Sequence, residues 1–294
     1  MEEIEKYLEV GRVSCRIREK VQKILERERD IKCIANRIEE EVKKEGCELA
    51  FPVNIGIDDI AAHYTPTIDE KAKIEENNLV KIDIGLHKDG YIADFALSFT
   101  ENPKLKELIE VAKKACLAGC KMAKPGTKVM EISEVIEKEI KEKEFTPISN
   151  LTGHGLKRYE IHAKPSIPNV SCNIGYELKE NEVIAIEPFV SRNCYWVKEE
   201  NIGVIFSVSE FKNARNEAAR EIMKMCRQRN FLPVCERWFE GKFSPIKIRL
   251  GIKELKERGL LVEYPILKGS DVIAQWENSV IVRDKPIVFT ENID

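Results

Sequence analysis

The chain has 294 residues, 43% of them hydrophobic, which is enough for one large domain or two of ordinary size. Its 48 lysine and arginine residues face 51 aspartate and glutamate residues, so the formal net charge of -3 excludes a uniformly basic nucleic-acid-binding protein, and we expect no DNA partner. Nine cysteines without a CxxC pair indicate reduced thiols rather than a disulfide framework or a zinc ribbon.

The N-terminal segment, MEEIEKYLEVGRV, has neither the basic start nor the apolar run of a signal peptide. No later segment approaches the ~20 apolar residues of a membrane span. We therefore expect a cytoplasmic protein that has no membrane partner.

Apolar residues at helical spacing predict two helices within residues 3–46 and two more at 104–122 and 129–143. The second helices of the two pairs align at an offset of 98 residues, and Ile34, Ile38, Glu39 and Glu41 match Ile132, Ile136, Glu137 and Glu139. Any two amphipathic helices can align by chance. However, each pair precedes an apolar stretch that ends in histidine, DIAAH at 59–63 and YEIH at 159–162. The pattern therefore predicts an internally duplicated α+β fold.

Alternating and apolar segments predict strands, which we place at 79–86, 91–99, 182–191, 202–208 and 272–283. Residues 213–260 differ from the rest, because they contain 12 lysine or arginine residues against 6 aspartate or glutamate residues. A helix at about 214–229, a helix from Ile246 to Arg258 and the strand-like LLVEYPIL resemble a winged-helix insertion. The basic charge indicates either contact with ribosomal RNA or the solvated sides of helices.

The segment KIDIGLHKDGYIADF at 81–95 alternates like a strand on both sides of Asp89-Gly90, a dipeptide typical of a two-residue hairpin turn. That turn places Asp83 and Asp94 on one face, one diagonal apart. A turn at Lys88-Asp89 would pair them directly on one face, and a three-residue loop would separate them. Two carboxylates ~5–8 Å apart with apolar neighbours repel each other unless a proton or a cation lies between them. The alternative, from this segment alone, is the solvated outer face of an edge hairpin.

Three further residues have the chemistry of metal ligands. His154 lies in the glycine-flanked loop of TGHGLKRYEIH, and Glu187 and Glu277 lie inside the apolar strands IAIEPF and AQWENSVIV. A buried glutamate is costly unless it is paired, hydrogen-bonded or bound to a metal. With Asp83 and Asp94 these residues form an oxygen-rich set with one imidazole, which suits two divalent ions, and Mn, Fe or Co better than a structural zinc.

This set of five residues resembles the metal ligands of the pita-bread (creatinase/aminopeptidase) metallopeptidases, and the resemblance covers nearly the whole chain. FPVNIGIDDIAAHYTP at 51–66, GHGLKRYEIH at 153–162 and the late insertion look like type II methionine aminopeptidases, in particular archaeal-like members without an N-terminal extension. The sequence departs from the family at Asp58-Asp59, where an asparagine pair or Asn-acid is frequent, and at Lys164-Pro165, where Gly-Lys is usual.

The resemblance implies an α+β pita-bread fold with pseudo-twofold symmetry. It divides the chain into a catalytic domain, residues 1–203 and 263–294, and a winged-helix-like insertion, residues 204–262. It also implies removal of the N-terminal methionine from nascent proteins and peptides that have a small second residue. The ions, Co, Mn, Fe or Zn, would generate a bridging hydroxide that attacks the scissile bond.

The resemblance also implies a role for each site residue. Asp83 and Glu277 would bridge two ions, Asp94 would bind one of them through both oxygens, and His154 and Glu187 would complete the ion nearer the substrate. Glu187 would also serve as general base and proton shuttle.

Two more histidines and an apolar slot would hold the substrate. His162 would hydrogen-bond the scissile carbonyl or its oxyanion, and His63 would contact the substrate backbone. Phe51, Ile161 and Tyr264 are candidates for the methionine pocket, although Tyr264 could equally be a core residue. We expect the fourth histidine, His87, on the surface beside the hairpin turn.

Two other functions remain open. An X-Pro aminopeptidase or prolidase shares the five ligands, but usually has a separate N-terminal domain and lacks the insertion. A non-catalytic pita-bread protein could bind RNA or ribosomes through the basic insertion, but such relatives typically lose ligands. For the favoured function we expect nascent polypeptide N-termini as partners, a contact with the ribosome through the insertion, and a monomer.

Overall fold

Apolar residues at helical spacing form six α-helices within residues 2–292, which are the residues that this computed structural model describes. The helices are α1 (Glu2–Leu25), α2 (Ile31–Lys44), α3 (Lys106–Lys121), α4 (Val129–Lys141), α5 (Glu217–Gln228) and α6 (Pro245–Glu257). Asp30 caps α2, because its side chain accepts the backbone N–H of Cys33 at 2.9 Å. All six predicted helices are confirmed. Within residues 2–292 none of them is long and apolar enough to cross a membrane.

The strands are short except for one long hairpin. In the first half they are β1 (Glu48–Leu49), β2 (Asn54–Ile57), β3 (Ile60–Ala62), β4 (Leu79–Lys88) and β5 (Tyr91–Thr100). In the remainder they are β6 (Thr146–Pro147), β7 (Thr152–Lys157), β8 (Glu160–Pro168), β9 (Val183–Ile186), β10 (Phe189–Ser191), β11 (Lys198–Val208), β12 (Val234–Cys235), β13 (Leu261–Lys268), β14 (Ile273–Gln275), β15 (Asn278–Ile281) and β16 (Ile287–Val288).

The two halves repeat one plan. In the first half, α1 and α2 accompany the antiparallel sheet of β1, β2, β4 and β5, and in the second half α3 and α4 accompany the sheet of β7, β8, β9, β15 and β16. Glu39 and Glu137, which the offset of 98 residues matches, both accept a backbone N–H from a later segment, from Val53 at 3.3 Å and from Ser171 at 2.6 Å. The sequence alignment of the helices therefore reflects a structural repeat.

The halves meet along a seam between β5 and the segment that leads into β15. The backbones of Ala96 and Glu277 exchange two hydrogen bonds, at 3.1 and 3.3 Å. Two residues further, the Ser279 hydroxyl donates to the carbonyl of Asp94 at 2.7 Å and accepts its N–H at 3.0 Å. The buried guanidinium of Arg18 in α1 donates to the carbonyls of Ala96 at 3.2 Å and Glu277 at 2.9 Å. These contacts fix the two halves in register.

Two segments that were each predicted as one continuous strand are interrupted in the structure. The segment 182–191 is divided into β9 and β10 at Glu187-Pro188, because proline has no N–H to continue the ladder. The segment 272–283 is divided into β14 and β15 at Trp276-Glu277. Both breaks occur at a glutamate that the sequence places in the site.

The prediction of a surface position for His87 is wrong. The side chain is only 2% exposed, because Tyr159 from the β7–β8 turn packs over it with 5.6 Å between the ring centroids. Its Nδ1 accepts the N–H of Gly90 at 3.3 Å. Burial lowers the pKa of His87 to about 4, so the ring is neutral and belongs to the core of the hairpin.

The segment between β11 and β13 has a hydrophobic core of its own, which includes Phe206, Ile222, Met223, Phe239 and Ile248. β11 and β13 enter and leave this segment as an antiparallel pair, and β13 also pairs with β3 of the first half. The division at residues 204–262 stays a prediction, since one sheet, β12-β11-β13-β3, runs across both of its boundaries.

A buried ion pair joins the insertion to the first half. The two terminal nitrogens of Arg237, Nη1 and Nη2, donate to the carboxylate of Glu39 on α2 at 2.9 and 2.7 Å. The indole N–H of Trp238 donates to the same carboxylate at 2.8 Å. The side chains of the pair are 2% and 5% exposed. Water therefore contributes little to the solvation of either charge.

We predict that Glu39→Gln lowers the free energy of unfolding by about 3 kcal/mol or more, because it leaves the Arg237 charge buried without its counter-ion. Denaturant unfolding of the purified variant measures this. Glu41→Gln on the same helix is the matched control, since the partly exposed pairs of Glu41 with Lys20 and Lys44 contribute at most about 1 kcal/mol. Equal losses in the two variants would contradict the predicted role of the buried pair.

Candidate metal centre

The β4–β5 hairpin has the register that the Asp89-Gly90 turn predicts. Both turn residues have positive φ, 53° and 87°, as a type I′ turn requires. Asp83 lies opposite Ala96, and Asp94 lies opposite Gly85 two residues along. The two carboxylates therefore share one face of the hairpin, and the prediction of a common face is confirmed.

The second half brings its ligands to the same place. Glu187 follows β9, and Glu277 precedes β15 at the backbone bridge to Ala96. Asp94, His154 and Glu277 each offer one ligand atom, and these atoms lie within 4.8 Å of one another. All five predicted ligands line one cavity, a set made of Asp83, Asp94, His154, Glu187 and Glu277.

His154 lies in β7, so the prediction that it sits in a loop is wrong. Its neighbours Gly153 and Gly155 mark close approaches of the adjacent strands. A Cβ at Gly153 would lie 2.3 Å from the carbonyl oxygen of Ala185 in β9, and a Cβ at Gly155 would lie 2.2 Å from that of Lys164 in β8. Glycine is required here by crowding inside the sheet rather than by a flexible loop.

The tautomer of His154 suits a metal ligand. Its Nδ1 lies 3.2 Å from the carbonyl oxygen of Gly155, and a proton on Nδ1 leaves the lone pair on Nε2. Nε2 lies 3.4 Å from Glu187 Oε1 and 3.9 Å from Asp94 Oδ2. Burial, with the nearby His162 ring, lowers the pKa of His154 to about 3, so this imidazole stays neutral.

The four carboxylates are in electrostatic conflict. Burial raises the pKa of Asp94 to about 7. Burial first, and the charge of Asp94 next, raise the pKa values of Asp83 and Glu277 well above their ordinary range. The pKa of Glu187 is raised in the same way by burial and then by the charges of Asp83 and Asp94. Without a cation, protons must occupy part of the cluster at neutral pH.

The donor set fits divalent metal ions. Asp83 Oδ1, Asp94 Oδ1 and Glu277 Oε1 are buried and have no hydrogen-bond partner among the described residues. An unpaired buried carboxylate oxygen is costly, and a cation is the partner that would compensate it. Four carboxylates with one neutral imidazole form an oxygen-rich set of the kind that Mn, Fe or Co accept.

Two residues that were not predicted, Gln275 and Arg18, support the ligands. The amide of Gln275, which is 1% exposed, donates to Glu277 Oε2 at 3.4 Å. Its position two residues before Glu277 was a usable signal, because alternate residues share a strand face. Arg18 holds the backbone of Glu277, but nothing in its amphipathic helix distinguishes it from a surface arginine.

The two other predicted histidines face the same cavity. The ring centroid of His162 lies 4.7 Å from that of His154 and 6.5 Å from that of His63. His63 Nδ1 lies 3.1 Å from the carbonyl oxygen of Pro265, and burial lowers the pKa of His63 to about 4. Tyr264 packs edge-on against His63 at 5.9 Å.

The cavity has a volume of about 350 Å³, and its lining combines the carboxylates with apolar side chains. The predicted pocket residues Phe51, Ile161 and Tyr264 line it, together with Leu151, Phe189, Ile205 and Leu267. Lys164-Pro165, where the sequence differs from the family, follows His162 in β8. The His162 ring still lines the cavity.

Comparison with known proteins decides the family. The model of metallopeptidase family M24 matches residues 5–283. The chain belongs to metallopeptidase family M24. Within this family, a methionine aminopeptidase of Pyrococcus abyssi is 34% identical over 294 residues, and the match covers 98% of this chain and 100% of the relative. The resemblance to archaeal-like methionine aminopeptidases is thereby confirmed.

Solved structures confirm the fold of this M24 chain. A thermophilic Arx1 has a TM-score of 0.85 at 15% identity, and the match covers 100% of this chain and 92% of that one. The methionine aminopeptidase from Thermotoga maritima has a TM-score of 0.71 at 18% identity, with coverage of 99% and 97%. The duplicated α+β pita-bread fold is confirmed.

We predict that Mn²⁺ or Co²⁺ raises the thermal unfolding midpoint of the wild type and that Asp83→Asn loses most of this gain. An ion at 100 times its dissociation constant stabilises the folded state by about 2.7 kcal/mol. Differential scanning calorimetry measures the shift. Asp89→Asn in the turn of the same hairpin is the control, because asparagine also accepts positive φ. An undiminished shift in Asp83→Asn would remove Asp83 from the ligands.

Proposed function

We propose that this M24 chain removes the N-terminal methionine from peptides and nascent proteins whose second residue is small. The observation that carries the proposal is the cluster of four buried or half-buried carboxylates and one neutral imidazole, which lines the same cavity as two further histidines and several apolar side chains. The name of the Pyrococcus abyssi relative, methionine aminopeptidase, supports the choice of substrate.

Five residues would hold two divalent ions. They are Asp83, Asp94, Glu187 and Glu277, which would offer carboxylate oxygens, and His154, which would offer an imidazole nitrogen. When bound, such ions lower the pKa of water toward neutrality and polarise a carbonyl group. An internal peptide bond has no free α-amine to place at this cluster, so cleavage is confined to the first residue.

Glu187 is the proposed general base. Its carboxylate lies on the cavity wall 3.4 Å from His154 Nε2, and its carbonyl accepts the amide of Asn169 at 3.2 Å, which holds the break between β9 and β10 in place. In this position Glu187 takes a proton from the attacking water and returns it to the leaving amine.

The two cavity histidines would orient the scissile bond. Burial lowers the pKa of His162, so its ring is neutral and presents an N–H that can donate to the carbonyl oxygen as negative charge develops there. A proton on His63 Nδ1 donates to the carbonyl of Pro265, which leaves Nε2 as an acceptor for a backbone N–H of the substrate.

The methionine side chain would lie against Phe51, Ile161 and Tyr264. Phe51 and Ile161 are each 8% exposed, so most of the surface of each side chain is already packed and the slot is preformed. An unbranched thioether fits such an apolar slot by rotation about its own bonds. The preference for a small second residue rests on the family resemblance.

The proposed partners are the N-termini of nascent chains. The protein is proposed to be a monomer in the cytoplasm. Ribosomal RNA is a further proposed partner, which would contact the basic insertion, although part of the positive charge there is already compensated. Several basic residues of the insertion are already paired with carboxylates, in the pairs Lys242–Glu221, Lys247–Glu217, Arg249–Asp69, Lys256–Glu263 and Arg258–Glu254. Paired charges attract phosphate less than free ones do.

We expect the purified wild type with Mn²⁺ or Co²⁺ to release methionine from a Met-Ala-Ser peptide and Asp94→Asn to lose this activity while it stays folded. Chromatography of the free amino acid and circular dichroism measure the two properties. Asp89→Asn is the control for loss of a carboxylate from the same hairpin. Release of the first residue from Ala-Pro peptides but not from Met-Ala-Ser would favour an X-Pro aminopeptidase. Absence of any release, with tight binding of ribosomal RNA at physiological salt, would favour the binding protein.

We further expect His162→Ala to lower kcat by about 10²-fold or more, as loss of one oxyanion donor does in other enzymes. Binding of the metal should persist, since His162 is not among the five ligands. Steady-state kinetics and the metal-induced shift in unfolding temperature separate the two effects. A change in KM alone would instead assign His162 to ground-state binding.

A further inference from the structure

One strand places a lysine beside the reacting centre. β8 alternates strictly between buried and exposed residues from Glu160 to Ile167. The exposed face carries His162, Lys164 and Ser166, and all three line the cavity. Lys164 is the next residue after His162 on this face, and it lies where β8 bulges out of its regular pairing with β7.

Lys164 has an unusual electrostatic position. It is the only lysine or arginine among the described residues that line the cavity, whereas four carboxylates line the same space. No carboxylate within residues 2–292 lies within 4.0 Å of its ammonium group. The side chain is exposed, so its ammonium group is free to pair with a ligand. Such a charge at the rim of a binding cavity attracts anionic groups of a ligand.

We propose that Lys164 is a specificity-determining residue that binds a carboxylate at the third residue of the substrate. The inference rests on the proposed aminopeptidase function. An extended peptide advances ~3.3 Å per residue, so its third residue lies two residues, ~7 Å, beyond the first. With the scissile bond, which joins the first two residues, at His162, the third residue lies ~5 Å further along the peptide, and Lys164 is the next cavity-lining residue on the same face of β8. In the proposed function the second residue is small, so the third is the first downstream position that accepts an acidic side chain.

The carboxylate can come from an aspartate or glutamate side chain or from the free C-terminus of a tripeptide. The polar groups around Lys164 suit either source. The hydroxyl of Ser166 donates to Thr152 Oγ1 at 2.8 Å, and Thr152 also lines the cavity. The rim next to Lys164 is therefore polar, while the apolar wall of Phe51 and Tyr264 receives the methionine.

The test compares matched peptides with the manganese-loaded protein. Met-Ala-Glu-Ser amide and Met-Ala-Gln-Ser amide differ only in charge at the third residue, and Met-Ala-Ser acid and amide differ only in the terminal carboxylate. We expect kcat/KM to favour the charged member by about three- to fivefold at low salt, as for an exposed ion pair. The ratio should fall with added KCl, because the Debye length shortens from about 10 Å at 0.1 M to about 3 Å at 1 M.

Lys164→Met should bring the ratio close to one, while Lys157→Met should keep it. Lys157 is an exposed lysine at the end of β7 that does not line the cavity, so it controls for the loss of one positive charge. If the wild type prefers only the Glu tetrapeptide, the site binds acidic side chains. If it prefers only the tripeptide acid, the site binds free C-termini. A wild-type ratio of one for both pairs, or a ratio that survives in Lys164→Met, overturns the proposal.

The proposed function can fail separately. If no peptide is cleaved, the aminopeptidase activity is excluded, and isothermal titration of the two tetrapeptides with wild type and Lys164→Met still decides the role of Lys164. Tighter binding of the Glu peptide that Lys164→Met abolishes supports it. Equal affinities in the two proteins overturn it.

Discussion

Repulsion among four carboxylates, two of them buried and two half-buried, is the constraint on which the rest of the structure depends. The described residues offer these groups few donors, chiefly the amide of Gln275, and leave oxygens of Asp83, Asp94 and Glu277 unpartnered. Such a cluster would spread apart or take up protons unless the surrounding backbone held it in place and cations compensated it. The fold holds the cluster in place, and the chemistry of the donor set requires the cations.

The duplicated architecture explains how the backbone holds the cluster. Asp94 comes from the hairpin of the first half and Glu277 from the second half, and the two segments are joined by backbone bonds through Ala96 and by Ser279. Arg18 then binds carbonyl groups on both sides of the seam, with its guanidinium over the Phe95 ring at 4.7 Å. Neither half alone has the complete set of ligands, so the site exists only where the two repeats meet.

Much of this arrangement could be predicted from the sequence, because local chemistry determines it. The Asp89-Gly90 turn fixes the register of the hairpin, and the helical repeats reveal the duplication. The errors occur where distant segments decide the outcome. Tyr159 covers His87, and the backbones of β8 and β9 crowd the glycines beside His154, so that a loop-like sequence is a strand. The roles of Lys164 and Arg18 depend on the faces that tertiary packing leaves open or closed.

The sheet β12-β11-β13-β3 connects the core of the insertion to the wall of the cavity. β13 carries Tyr264 and the Pro265 carbonyl that orients His63, and its other partner, β11, borders the core of the insertion. At the far side, Arg237 is anchored on Glu39 of α2. The insertion thus supports one wall of the cavity, and the shape of the cavity depends partly on residues that do not line it.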